Sequence, residues 1–206
     1  NGVERKYIIY TPQGYDGNSK LPLLLNFHGY GGQAGDYMSY TNMRSTADSE
    51  NFILVYPQGT DLHGSPHWNA ALNGGDNKSD VDDFGFIEAL INKLSSENLI
   101  DLKRVYAVGY SNGGMMSYAL ACYKSNLIAA IGSVSGYMLQ STSSVSESEC
   151  TPSPSIPLIK LHGTTDYYDG EGVYNSVDSV LNFWVSFNNT NTDPIINNID
   201  DNGTSI

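Results

Sequence analysis

Charge is scarce in this chain. Of 206 residues only 16% are Asp, Glu, Lys or Arg, where a soluble domain usually carries ~25%. Basic residues are scarcest: 10 Lys and Arg stand against 22 Asp and Glu, a formal charge of −12. Phosphate backbones and anionic lipids select clustered Lys and Arg, so nucleic acid and anionic membrane surfaces are not expected partners. Long hydrophobic runs are also missing. The stretch LPLLL at 21–25 falls far short of the roughly 20 residues that cross a bilayer. Cysteine is limited to Cys122 and Cys150, too few for a disulfide scaffold and without Cys-x-x-Cys spacing. A single loop-closing bridge therefore competes with two free thiols.

An apolar content of 40% over this length is enough for one domain, 1–206, with its own core. Asn, Ser, Thr, Gly and Tyr supply much of the polarity, the surface expected of a secreted or periplasmic protein. The chain opens at Asn1 with no signal peptide, as one whose leader had been removed would. A monomer is the default expectation.

Strand-like and helix-like segments alternate. Residues 5–10, 21–27, 52–56, 104–108, 129–134 and 156–161 read as strands. Residues 36–50, the run SDVDDFGFIEALINKLSSE at 79–97, residues 113–124 and residues 173–187 read as helices. In the last of these Val173, Val177, Val180, Leu181 and Trp184 are placed on one side. Gly- and Asn-rich residues 59–79 and Ser-rich residues 139–155 read as loops. This order predicts an α/β architecture, a mostly parallel sheet with helices on both faces, whose chemistry lies beyond the carboxyl ends of the strands.

The sharpest motif is GYSNG at 109–113, between a strand and a helix. In G-x-S-x-G the glycines permit close strand-to-helix packing and a tight turn lifts the serine above the sheet, which makes Ser111 the candidate nucleophile. Its plain alternative is a Gly/Ser connecting turn. Asp166, in KLHGTTDYYDG just past a later strand, is the candidate acid that orients a histidine, with Asp169 as competitor and a solvated loop acid as the plain alternative. HGYGG at 28–32 follows an apolar strand. The backbone amides of Asn112 and Tyr30, with Gly29 or Gly31 as alternatives to the second, would meet the charge developing on an attacked carbonyl. The segment lacks the Lys-Ser/Thr ending of a phosphate-binding loop. Tyr30, Trp68, Tyr137, Tyr167 and Tyr168 are candidates for lining an aromatic site, with loop or core packing as the alternative for each.

All four histidines, His28, His63, His67 and His162, precede Asp166. In the order Ser, Asp, His the base follows the acid. His28 and His162 read as loop-building residues, and His63 and His67 as unusual bases at most. The catalytic histidine is therefore expected after Ile206, on a strand and loop beyond these residues, and NNIDDNGTSI reads as a turn leading into another element.

HGYGG, VYPQGT, WNA, DVDDFGFIEALI, VYAVGYSNGGMMSYALAC, IGSVSGYM and LHGTTDYYDG together resemble the secreted polyhydroxybutyrate depolymerase and feruloyl esterase type of α/β-hydrolase, similar to family 1 carbohydrate esterases, over about residues 3–190. The resemblance implies a serine carboxylic-ester hydrolase. Ser111 would attack the ester, Asp166 would orient the imidazole, and Tyr30 with Asn112 would form the oxyanion hole. It also implies that Cys122 and Cys150 are bridged. Such a mechanism needs no metal or organic cofactor, and its partner is a small-molecule or polysaccharide-linked ester. A serine peptidase of the same fold, or a noncatalytic binding relative without a base, are the alternatives.

Overall fold

The computed structural model describes residues 3–71, 79–138, 150–163, 166 and 176–195. Its strands are β1 (Tyr7–Tyr10), β2 (Leu21–Phe27), β3 (Ile53–Pro57), β4 (Thr60–Leu62), β5 (Ser65–His67), β6 (Ile100–Tyr110), β7 (Ala130–Val134) and β8 (Leu158–Leu161). Six of them form one sheet in the order β1-β3-β2-β6-β7-β8. Only β1 is antiparallel to its neighbour in that sheet, while β3, β2, β6, β7 and β8 run parallel. Phe27 pairs with Gly109, Tyr110 with Val134, and Val134 with Leu161, so the carboxyl ends of β2, β6, β7 and β8 form one edge. The mostly parallel sheet with helices on both faces matches the architecture expected from the sequence.

A parallel strand buried on both faces has to be apolar on both, and β3 is, with Ile53, Leu54, Val55 and Tyr56 all fully buried. One face meets α3 (Asp83–Ser96), α4 (Asn112–Tyr123) and α5 (Val177–Phe187), whose core includes Leu23, Leu25, Val105, Ala107, Ile131 and Trp184. The other face meets α1 (Ala34–Thr41) and α2 (Arg44–Glu50) around Ala34, Ala47, Leu54 and Tyr56. On that second face the β6-β7-β8 half carries an apolar groove of about 490 Å³ lined in part by Tyr106, Val108, Ile159 and Leu161. Ile159 is 69% exposed.

Several boundaries differ from the sequence reading. The helix expected over 36–50 is two helices, because Asn42 adopts left-handed φ +34° and ends α1, its amide bonded to Met38 O. The expected loop 59–79 contains the β4–β5 hairpin, turned by His63 and Gly64 at φ +55° and +84°. The last helix begins at Val177, and Leu181 is 41% exposed while Val180 and Trp184 are buried. Its buried stripe is continued by Phe183 and Phe187 rather than by Leu181. Residues 139–149 and 173–175 of the expected loop and helix lie outside the described residues.

Of the acids that open α3, Asp82 caps it, accepting the Gly85 amide at 2.7 Å. Asp83 turns inward instead. It is 1% exposed, pairs with Arg5 and accepts the Asn69 amide at 2.7 Å. Burial pushes its carboxyl above the usual range, against the pull of Arg5. The pair ties the N-terminal segment, the Trp68–Asn69 loop and α3 to one another. Cys122 and Cys150 form a disulfide, which joins the last turn of α4 to the segment that leads into β8.

Candidate active site

Ser111 joins β6 to α4 with φ +51° and ψ −118°. A non-glycine residue in that region stores about 1–3 kcal/mol of strain, so the surroundings must hold it. A Cβ on Gly109 would lie 2.3 Å from Gly113 C, and one on Gly113 would lie 2.1 Å from Phe27 O. Both glycines are therefore required by contact, as the sequence reading anticipated. The Ser111 amide donates to Val134 O at 2.9 Å, and Ser111 O accepts from Met115 as α4 begins. The first residue of α4 is Asn112, whose amide has no acceptor within the helix.

The 28–32 loop stands beside this turn: a Cβ on Gly29 would be 3.5 Å from Ser111 Cβ. It is held from below by His28, which is 1% exposed. The Gly59 amide donates to His28 Nε2 at 2.9 Å, so the ring proton sits on Nδ1, which lies 2.7 Å from Gly29 O. Burial pushes the His28 pKa below its ordinary value. Gln58 bridges the same loop to α1, accepting from the Ala34 amide at 2.8 Å and donating to Gly32 O at 3.3 Å. The Gly31 amide donates to Pro66 O in the hairpin at 2.7 Å, and the Gly32 amide to Gly29 O at 3.1 Å. The Tyr30 ring is 53% exposed.

Trp68 does not have the place expected of a substrate-lining ring. It is 2% exposed, packs edge-on against Phe27 and donates its indole N–H to His28 O at 3.0 Å. Its backbone is clamped by the Asn112 side chain, which accepts the Trp68 amide at 2.8 Å and donates to Trp68 O at 3.1 Å. Trp68 thus braces the loop beside Ser111. Neither that side-chain clamp nor the role of Gln58 was visible in the sequence, although Gln58 directly follows the tip of β3.

Across the edge, β7 and β8 bring up the other candidates. Asp166 lies past the end of β8, its amide donating to Gly163 O at 3.1 Å and its side chain 38% exposed. Tyr137 donates its hydroxyl to Asp166 O at 2.8 Å and stacks edge-on against His162 at 4.9 Å. Tyr167, Tyr168 and the competitor Asp169 lie outside the described residues.

All four histidines are described. His28 and His67 are buried, the latter between Ser65 O at 3.2 Å and Ser79 Oγ at 3.3 Å. His63 sits at the hairpin turn. His162 has a side chain only 3% exposed, with Nδ1 3.2 Å from Lys160 Nζ and Nε2 3.8 Å from Asp166 Oδ2. None of them hydrogen-bonds Ser111.

A helix N-terminus below a strained serine, a braced glycine loop and an acid two strands away is an arrangement suited to acyl transfer. The Phospholipase/Carboxylesterase family profile matches residues 16–170 of the chain. The chain belongs to this family. Within this carboxylesterase family setting, it is 31% identical over 162 residues to Feruloyl esterase B of Piromyces equi, covering 79% of this chain and 29% of that protein. It is 32% identical over 165 residues to the bifunctional acetylxylan esterase/xylanase XynS20E of Neocallimastix patriciarum, covering 80% and 22%. The chain thus spans less than a third of either relative. Among solved structures, the Bacillus cereus carboxylesterase superposes with a TM-score of 0.62 at 19% identity, over 91% of this chain and 81% of that one. The LpqC poly(3-hydroxybutyrate) depolymerase of Bordetella parapertussis gives 0.62 at 18%, over 86% and 65%. The solved structures establish an α/β-hydrolase fold, and the family profile and sequence relatives place the chain among carboxylesterases and feruloyl or acetylxylan esterases without singling out one of them. The disulfide agrees with an oxidising, extracytoplasmic location, and no described helix is long and apolar enough to cross a membrane.

Proposed function

We propose that this protein is a serine carboxylic-ester hydrolase acting through an acyl-enzyme on small acyl, feruloyl or related esters. The observation that carries the reading is the backbone of Ser111, held at φ +51° above the N-terminus of α4 and beside the 28–32 loop. Ser111 Oγ attacks the ester carbonyl, forming the tetrahedral intermediate. The amides of Asn112 and Tyr30 receive the oxyanion, each worth about 3 kcal/mol at the transition state. Asp166 orients an imidazole that takes the Ser111 proton and passes it to the leaving alcohol. The same base then activates water against the acyl-serine. His28 and His67 are committed to buried contacts, and both ring nitrogens of His162 face Lys160 and Asp166. These placements support a base supplied by chain beyond Ile206, within the single catalytic domain to which residues 1–206 contribute. The names of the feruloyl and acetylxylan esterase relatives favour feruloyl or acetylxylan esters as substrates, with Tyr30 and Tyr137 beside the acyl group.

The test is fluorophosphonate labelling of the full natural polypeptide with intact-mass and peptide mapping, alongside hydrolysis of an aryl acetate and methyl ferulate. The expected adduct is on Ser111, and Ser111→Ala lowers kcat by on the order of 10⁶-fold. A full-length protein without a histidine beyond residue 206 and without an adduct would instead establish a noncatalytic relative. Amide hydrolysis as fast as ester hydrolysis would establish a peptidase.

A further inference from the structure

Behind Asp166 lies a group of polar side chains that the mechanism above does not use. Lys160 sits on β8 with its side chain turned toward α4. Its Nζ is 3.1 Å from Gly136 O, 3.4 Å from Tyr118 Oη and 3.2 Å from His162 Nδ1, and it stands 5.7 Å from the centre of the Tyr118 ring. No carboxylate makes a direct ion pair with it among the described residues. Lys160 is half-buried, and an ammonium group partly withdrawn from water without a close counter-ion is costly. His162, two residues on, is as unusual. Its side chain is 97% buried, being 3% exposed, and its Nε2 has no hydrogen-bond partner among the described residues. The Asp166 carboxylate stands 3.8 Å away, beyond hydrogen-bond distance.

The contacts fix which nitrogen carries the proton. A lysine ammonium only donates, so the His162 Nδ1 that faces it must accept, and the proton of the neutral ring is on Nε2. Nε2 is the ring nitrogen on the side of Asp166, 3.8 Å from its Oδ2. The opposite tautomer would set a ring proton against the ammonium and a lone pair against the carboxylate. Tyr137 closes the arrangement, with its ring edge-on to His162 and its hydroxyl on Asp166 O.

We propose that Lys160 and His162 form a positioning pair for Asp166: the Lys160 ammonium sets the His162 tautomer, and His162 Nε2–H holds one carboxylate oxygen, leaving the other for the catalytic imidazole. The inference rests on the role given to Asp166 above. Neither residue touches the reacting atoms. Their effect is to keep the acid's second oxygen pointed, and a displacement of about 1 Å in such a group costs on the order of 10²-fold in rate. Burial pushes the Lys160 pKa down to about 8, with the Asp166 carboxylate opposing that shift, and burial and Lys160 together push His162 below its ordinary value. The groups facing Lys160 are Tyr118 from α4, Gly136 and Tyr137 after β7, and His162 and Asp166 after β8. The pair is therefore charged lysine and neutral histidine at neutral pH. The tautomer control weakens as Lys160 loses its proton on the alkaline side.

The experiment uses the full natural polypeptide, with aryl acetate hydrolysis and the rate of fluorophosphonate labelling of Ser111 as readouts. His162→Leu and Lys160→Met are expected to lower kcat about tenfold to 100-fold with KM changed less than about twofold. His162→Gln, which keeps a donor toward Asp166, recovers at least half of that loss on a logarithmic scale. In an Asp166→Asn background, His162→Leu adds no more than about twofold, because its effect passes through Asp166. The parent protein is expected to lose kcat as pH rises through about 8, and Lys160→Met is expected to remove that fall. Wild-type kcat in folded His162→Leu and His162→Gln would overturn the pair, as would an equal loss from His162→Leu with and without Asp166. If Asp166→Asn alone leaves kcat unchanged, the role of Asp166 itself has failed, a result distinct from either.

Discussion

On the β2 side of Ser111 the 28–32 loop is held by buried contacts from three directions: His28 from below, Gln58 from β3, and Trp68 through the Asn112 side chain. On the β8 side Asp166 is held by its own amide bond to Gly163 O and by the Tyr137 hydroxyl, while the nearby His162 nitrogen is 3.8 Å from its carboxylate. One flank is built from backbone and fully buried rings, the other from side chains at a partly exposed edge. Under the proposed function the two flanks would have different tasks. Stabilising a developing charge requires donors that do not reorganise, whereas an acid proposed to orient an imidazole can adjust to it. Rigidity is therefore expected to fail abruptly on the first flank and gradually on the second.

The most severe way to break the rigid flank is Gly113→Ala. The new Cβ would lie 2.1 Å from Phe27 O, and neither backbone can yield without separating α4 from β2. The expected cost exceeds about 4 kcal/mol, read as loss of a cooperative thermal transition. A variant melting within a few degrees of the parent would show that the elbow is looser than its contacts imply.

Next in size is the disulfide, which anchors the segment leading into β8. Cys122→Ser with Cys150→Ser opens a loop of sequence separation 28 and is expected to cost about 3–4 kcal/mol by loop entropy. Because it belongs to the acid's flank, it should slow Ser111 labelling through Asp166 while leaving the 28–32 loop intact. Hydrogen exchange at the Gly59 and Gly31 amides separates the two: unchanged protection there sharpens the comparison, and equal loss on both flanks breaks it.

Asn112→Ala probes the rigid side without steric damage. It strips both hydrogen bonds from the Trp68 backbone and leaves a buried amide without its acceptor, an expected loss of about 1–3 kcal/mol by denaturant titration. The Asn112 amide proposed for the oxyanion is retained. A larger fall in kcat than in stability would therefore mean that the side chain also sets the geometry of that amide.

How far these features were legible follows from where their causes lie. The apolar runs of β2 and β3, the elbow at 109–113 and the strand tip before Asp166 are local patterns, and sequence reading placed all of them near their observed positions. The β4–β5 hairpin was missed because its strands are three residues each, one holds Pro66, and its turn is His63-Gly64 rather than the usual Asn-Gly. The break at Asn42 depended on a left-handed residue inside an otherwise helical stretch. Trp68 read as a candidate lining ring with core or loop packing as its alternative, because nothing nearby in sequence announces Phe27, His28 and Asn112, which come to it from β2 and α4. Asp83 looked like a helix-end acid for the same reason, its partner Arg5 being 78 residues away.

Acid should weaken the rigid flank through His28. Its folded pKa lies below the ordinary value of 6.5, so between that value and the depressed one the unfolded chain binds the extra proton. Stability from this group is complete above pH 6.5 and is lost as pH falls through the folded pKa, by at most about 1.4 kcal/mol per pH unit. His162 shifts in the same direction, so the test is a comparison of slopes. Denaturant midpoints between pH 7.5 and 5 should fall less steeply in folded His28→Asn than in the parent, and parallel lines would remove His28 from the account.

The smallest expected change in stability belongs to Tyr137→Phe, on the adjustable flank. It deletes the hydrogen bond from the hydroxyl to Asp166 O at 2.8 Å and keeps the ring against His162. The carbonyl it frees lies at a partly exposed edge and can take water instead, so the thermodynamic cost is expected at about 0.5–1.5 kcal/mol. Catalysis should respond more than stability. With Asp166 free to swing, its carboxylate spends less time aligned with the imidazole, and kcat is expected to fall about threefold to tenfold with KM nearly constant. Asn112→Ala and Tyr137→Phe then form a pair of opposite character: the first loses mainly stability, the second mainly turnover. Measuring both quantities for both variants decides whether the flanks differ in kind. If Tyr137→Phe loses stability and turnover in the same proportion as Asn112→Ala, the acid's loop is as rigidly built as the glycine loop, and its fewer contacts are sufficient to fix it.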